Sequence, residues 1–119
     1  MPYVDGYVIA VPTANKDKYR ALAEKVAPAF KKHGALRVVE CWGDDVPEGK
    51  LTSFPMAVKC GADETVVFSW IEWPSREIRD VGMKAAMEEM HAQMDMKPED
   101  APFDGKRMIF GGFQSIVDR

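Results

Sequence analysis

The chain has 119 residues, 46% of them apolar and 29% charged, with a formal net charge of −3. That length and balance describe a single globular domain over residues 1–119 and exclude a disordered or fibrous chain. The net acidity, without any basic stripe interleaved with aromatics, argues against nucleic acid as a partner, and no run approaches the roughly 20 apolar residues of a membrane span. The start, Met1-Pro2-Tyr3-Val4-Asp5, lacks the basic and apolar regions of a leader, so a cytoplasmic location is expected. Cys41 and Cys60 are too few for a disulfide framework and fit no zinc or redox spacing; they read as reduced thiols.

Residues Tyr3 to Val11 alternate and are rich in β-branched and aromatic side chains, which predicts a first strand ended by Pro12. A helix follows, with Asn15 as N-cap, Asp17 in its first turn and Tyr19, Leu22, Val26 and Phe30 at helical spacing up to His33 and Gly34. Pro28 should bend or loosen it. A second strand, Ala35 to Trp42, stops at Gly43-Asp44-Asp45. The long stretch from Gly43 to Glu64 is expected to hide a short strand at Met56 to Cys60, paired through a turn with a third strand at Thr65 to Trp73. Pro74 and Ser75 open a second long helix reaching about Met94. It carries Ile78, Val81 and Ala85 on one side and Met83, Met87, Met90 and Met94 on nearly the other, so either it breaks near Gly82 or both sides are covered. After a polar loop from Lys97 to Lys106, a fourth strand spans about Arg107 to Val117, with Gly111-Gly112 marking a bulge or a close backbone approach.

The order β-α-β-β-α-β defines an α+β fold: a four-stranded antiparallel sheet with two helices on one face. The uncovered face should be polar at alternate positions, yet Val39 and Cys41 oppose Leu36, Val38 and Trp42, and Val66, Phe68 and Trp70 oppose Val67, Ile71 and Trp73. Two dry faces and only two helices predict a homodimer through the helix-free face.

Glu40 is the most informative polar residue. Alternation places its carboxylate beside Leu36, Val38 and Trp42, where a charge must be paired, hydrogen-bonded or protonated. Either this side turns wet toward the strand end, or Glu40 is held structurally, paired with Arg107 or hydrogen-bonded to Tyr7, or it is a general base beside a cavity. Tyr3, Tyr7, Trp42, Trp70 and Trp73 suit a ligand wall, a core or a dimer interface equally. The only imidazoles are His33, at a helix C-terminus, and His91, between the methionine stripe and the polar side of its helix. No cluster has metal-ligand spacing and no glycine-rich phosphate loop or nucleophile elbow exists, so no metal or cofactor is expected. Asp44, Asp45 and Glu48 read as a solvated turn.

The words Tyr3-Val-Asp-Gly-Tyr7, Val39-Glu-Cys-Trp-Gly-Asp-Asp-Val-Pro47, Phe68-Ser-Trp-Ile-Glu-Trp-Pro74 and Pro102-Phe-Asp-Gly-Lys-Arg-Met108 resemble the bacterial DUF1428 family over nearly the whole chain. The resemblance implies a ferredoxin-like protomer of the dimeric α/β-barrel superfamily, which also holds monooxygenases, haem-degrading oxygenases and muconolactone isomerases, but it implies no single activity. The leading expectation is a cofactor-independent site for an aromatic or polyketide-like molecule, with Glu40 as catalytic base and Tyr7, Trp42, Trp70, Arg107 and His91 as ligand contacts. The alternatives are a non-catalytic ligand-binding or stress-related module and, by superfamily analogy through His91 and Trp70, a haem-binding or haem-degrading protein.

Overall fold

The computed structural model describes residues 2–93 and 100–119. The main elements run in the order β1 (Tyr3–Pro12), α1 (Lys16–Lys32), β2 (Arg37–Trp42), α2 (Phe54–Ala57), β3 (Glu64–Trp73), α3 (Arg76–Gln93) and β4 (Ile109–Gln114). The strands form one antiparallel sheet in the order β2-β3-β1-β4. This is the expected β-α-β-β-α-β fold, with α2 as an addition. Met94 and residues 97–99 of the expected polar loop lie outside the described residues.

One sheet face packs on α1 and α3. Ile9, Val11 and Val67 close around Tyr19 of α1, and Ile71 and Trp73 around Phe30 of α1 and Ala86 of α3. Asn15 stands at the N-cap position of α1, but its side chain does not cap the helix. Its amide instead donates to the Pro102 carbonyl at 3.0 Å, tying the start of α1 to the segment before β4. Pro28 is accommodated inside α1 without an interruption.

The second long helix does not break at Gly82: α3 is continuous, and Gly82 is buried in it. A Cβ there would lie 2.6 Å from the Trp73 ring and would also strike the His33 carbonyl oxygen, so only glycine lets α3 approach this closely. The inner side of α3 is built on Gly82 and Ala86, with Met83 and Met90 packed on the core beside them, while Ile78, Val81 and also Met87 are exposed.

Two other expectations change. The segment Met56 to Cys60 is not a strand, because Ser53 caps α2 by accepting from the Met56 amide at 3.1 Å and Pro55 sits in the first turn. That segment folds over one end of the helix-free face, where Val58, only 1% exposed, packs on Ala10 and Val66. The face is therefore bare only in part. Its other end remains a groove of about 700 Å³ whose lining includes Val4, Phe68, Trp70, Ile109 and Phe113. In β4 the register with β1 is regular through both glycines, so there is no bulge. The close approach is real: a Cβ on Gly112 would strike the Tyr3 hydroxyl and stand 2.7 Å from the Arg79 guanidinium.

Candidate functional site

Four residues lie in one cross-strand row: Phe110 opposes Tyr7, Tyr7 opposes Ser69, and Ser69 opposes Glu40. All four line a chamber of about 380 Å³ on the helix side of the sheet. The hollow exists because Ser69 is small between two long side chains. Tyr19 and Phe30 from α1 and Met83 and Met87 from α3 also line it. An outer cleft of about 330 Å³ runs along the β2 edge under α1, lined by Ala23, Ala27 and Trp42 among others. Tyr19, Val38 and Glu40 border both spaces.

The Tyr19 phenol donates to Glu40 Oε1 at 2.6 Å. Glu40 as a residue is exposed, since solvent reaches it from the strand edge. Its carboxyl group nevertheless sits among protein atoms, and this burial raises its pKa above the ordinary carboxylate value against the opposing hydrogen bonds from Tyr19 and Ser69. Burial also raises the Tyr19 phenol, with the Glu40 hydrogen bond and charge adding to it. The Tyr7 phenol is raised first by burial and then by the Asp5 charge, with a smaller push from Glu40 and an opposing one from Arg79. Both phenols therefore stay protonated near neutrality, and Tyr7 stacks on Phe110 with ring centres 6.2 Å apart.

One row further along the sheet lies a charged pair that also lines the chamber. Asp5 is only 3% exposed, and it accepts from the Trp73 indole at 2.9 Å and from Arg79 Nη2 at 2.7 Å. Arg79 also donates through Nε to Asp5 and through Nη1 to Asp80, and its guanidinium lies 5.1 Å from the centre of the Tyr3 ring.

The predicted site residues separate into two groups. Glu40, Tyr7 and Trp42 share the helix side; Trp42 lines the outer cleft, with Lys16 Nζ 5.5 Å from its ring centre. Trp70 does not: it faces the opposite side of the sheet, where its indole donates to Glu72 at 2.9 Å. Arg107 is not the partner of Glu40 either. It forms a two-pronged pair with Glu64, at 2.7 Å on each oxygen, and is held there by Asp104 and the Lys59 carbonyl. His91 is exposed on α3 and borders neither space, so the haem reading has no histidine at the chamber. Among the described residues, no group of three His, Cys, Asp or Glu side chains could hold a metal ion.

The sequence reading missed Asp5, Tyr19, Ser69 and Arg79 as site residues. Asp5 carried a signal, being the one charge among Tyr3, Tyr7 and Ile9 on the inward face of β1. Ser69 carried one too, a hydroxyl between Val67 and Ile71.

The fold and this chamber define a ferredoxin-like α+β protein with a polar-floored, largely apolar hollow between sheet and helices. The chain belongs to the DUF1428 family, described as "protein of unknown function", whose model matches residues 2–105. It is 59% identical over 120 residues to the uncharacterized protein YbaA of Escherichia coli K12, covering 99% of each chain, and equally to that of Shigella flexneri. Among solved structures it is similar to a dimeric ferredoxin-like protein from an uncultured marine organism. The TM-score is 0.58 with 12% identity and complete coverage of both chains, a likeness of fold. No helix among the described residues is long and apolar enough to cross a membrane.

Proposed function

We propose that the protein binds a small aromatic or polyketide-like molecule in the sheet–helix chamber and removes a proton from it without a cofactor, with Glu40 as the acceptor. The observation that carries this reading is a carboxyl group with a raised pKa, held at 2.6 Å by Tyr19, bordering an open space lined by apolar side chains. Proton removal of this kind is the first step of isomerase-type and of cofactor-independent monooxygenase-type chemistry. Tyr7 and Trp42 serve as ligand contacts in the two adjoining spaces. The chain acts as a cytoplasmic homodimer through the uncovered end of the helix-free face, where Phe68, Ile109 and Phe113 are exposed.

The test is proton–deuterium exchange at the α carbons of 2-tetralone, followed by NMR in D₂O. The wild type should accelerate exchange and Glu40→Gln should not. Saturation-transfer NMR should show 2-naphthol bound to the wild type and bound more weakly by Met87→Trp, which sets a bulky ring at the rim of the chamber. Binding without exchange would leave a ligand-binding module in place of an enzyme, and absence of both would overturn the reading.

A further inference from the structure

We propose that Tyr7 is the hydrogen-bond donor that holds the ligand's carbonyl oxygen, and that the chamber selects uncharged carbonyl compounds carrying an acidic C–H beside that carbonyl. This inference rests on the preceding reading of Glu40 as proton acceptor and extends it to a second residue and a substrate class.

The first argument is spacing. Tyr7, Ser69 and Glu40 sit on three neighbouring strands in direct register. Two strand separations place the Tyr7 and Glu40 backbones about 9–10 Å apart. Both side chains border the same chamber, with only the short Ser69 between them. Two contacts of about 2.8–3 Å each, one to the phenol and one to the carboxylate, leave room for a carbonyl group and the carbon next to it. A ligand lying over Ser69 thus meets a donor at its oxygen and a base at its α carbon.

The second argument is availability. Tyr19 already gives its phenolic proton to Glu40, whereas nothing hydrogen-bonds the Tyr7 phenol among the described residues. As a neutral phenol with no other acceptor, Tyr7 can donate to an oxygen that gains negative charge.

The third argument is charge. Arg79 is the one guanidinium lining the chamber among the described residues, and both Asp5 and Asp80 neutralise it. The chamber carries no uncommitted cation, and Glu40 adds negative charge when ionised. A carboxylate ligand would be desolvated there without a partner, which is costly, while a ketone or 1,3-dicarbonyl would not.

The step balances without any further reactant. The α C–H proton passes to Glu40, the C–H electron pair becomes the new C=C bond, and the carbonyl π pair moves onto the oxygen held by Tyr7. Return of the proton from Glu40 to the same carbon gives exchange, and return to a conjugated carbon gives isomerisation.

The experiment compares Tyr7→Phe with the wild type in 2-tetralone exchange. Removing a single donor to a developing oxyanion should slow exchange about 10²–10³-fold. Binding of naphthalene, which has no oxygen, should stay unchanged and show that the chamber is intact. For the wild type at pH 8, 2-naphthoate should bind at least about tenfold more weakly than 2-naphthol. Exchange that Tyr7→Phe leaves within about threefold of wild type, or naphthoate bound as tightly as naphthol, would overturn this inference while leaving Glu40 as base. Loss of naphthalene binding in Tyr7→Phe would make Tyr7 a packing residue and would overturn it equally. Wild-type protein that neither exchanges tetralone nor binds naphthol would overturn the underlying reading instead.

Discussion

The hydroxyl of Tyr19, carried on α1, donates to the carboxylate of Glu40, carried on β2, across 2.6 Å. This bond ties the helix layer to the sheet at the boundary between the chamber and the outer cleft, and it opposes the effect of burial on the acid it holds. Tyr19→Phe removes that opposition and leaves the ring. The Glu40 pKa, already above the ordinary carboxylate value, should rise further, as read from the carboxyl ¹³C shift of glutamate-labelled protein. An unchanged or lower value would show that the phenol does not stabilise the charged form.

The same raised pKa sets a pH dependence of folding. An acid that holds its proton more tightly when folded favours the native state fully below its unfolded pKa, and that advantage is lost as pH rises through the folded pKa. The penalty should therefore develop from the usual glutamate range near 4.5 upward. Glu40→Gln should gain on the wild type between pH 4 and pH 8 in urea unfolding. A wild-type lead that grows with pH would contradict the assignment.

Asp5→Asn leaves Arg79 facing the chamber with half of its pairing removed. Breaking a buried pair costs about 3–5 kcal/mol, and the partial exposure of Arg79 reduces this to about 2–3 kcal/mol, measurable by chemical denaturation. The released guanidinium should also make the chamber more hospitable to anions, so 2-naphthoate should gain affinity relative to 2-naphthol.

Arg107 gives the contrasting case, because it holds the Glu64 carboxyl at about 2 with help from the Gly61 amide. A depressed folded pKa contributes stability that is present above the unfolded value, near 4.5, and is lost as pH falls toward 2. Arg107→Met should flatten the acid limb of the stability curve in that window. Tetralone exchange should not change, since Arg107 stands away from Glu40.

Phe68 is 43% exposed on the helix-free face beside Trp70. Light scattering coupled to size-exclusion chromatography should show a dimer for the wild type and a monomer for Phe68→Asp, in which a charge would be carried into the apolar contact. A monomeric wild type at micromolar concentration would mean that the fold over Val58 gives enough cover.

Period-two alternation made the layout of the site legible in the sequence. It placed Glu40 and Trp42 on one side of β2 and separated Trp70 from Ile71 and Trp73 on β3. The same alternation sets Trp70 against a shared pocket with Glu40, a conflict visible once the two strands are laid in register. What the sequence concealed depends on register and on local chemistry. Tyr19 reads as core at helical spacing, and only the crossing of α1 over β2 turns its hydroxyl toward Glu40. Arg107 reads as a partner for Glu40, but Asp104 lies three residues before it and the fold brings Glu64 to it, and these carboxylates hold the guanidinium away from Glu40. The helix at Phe54–Ala57 was announced by Ser53 and Pro55, and the apolar run behind them hid it.

Gly82 fixes how the chamber can respond to its contents. With α3 seated directly on the Trp73 ring and Arg79, one turn earlier, clamped to Asp5, the helix can neither slide nor roll without opening buried contacts. Met83 and Met87, which line the chamber from the next turns, reposition only by rotating their own thioether arms. The space can thus be reshaped by these two side chains while the seat of α3 on the sheet stays fixed. If it takes a ligand as proposed, it should tolerate rings of different outline better than molecules that would lift the helix.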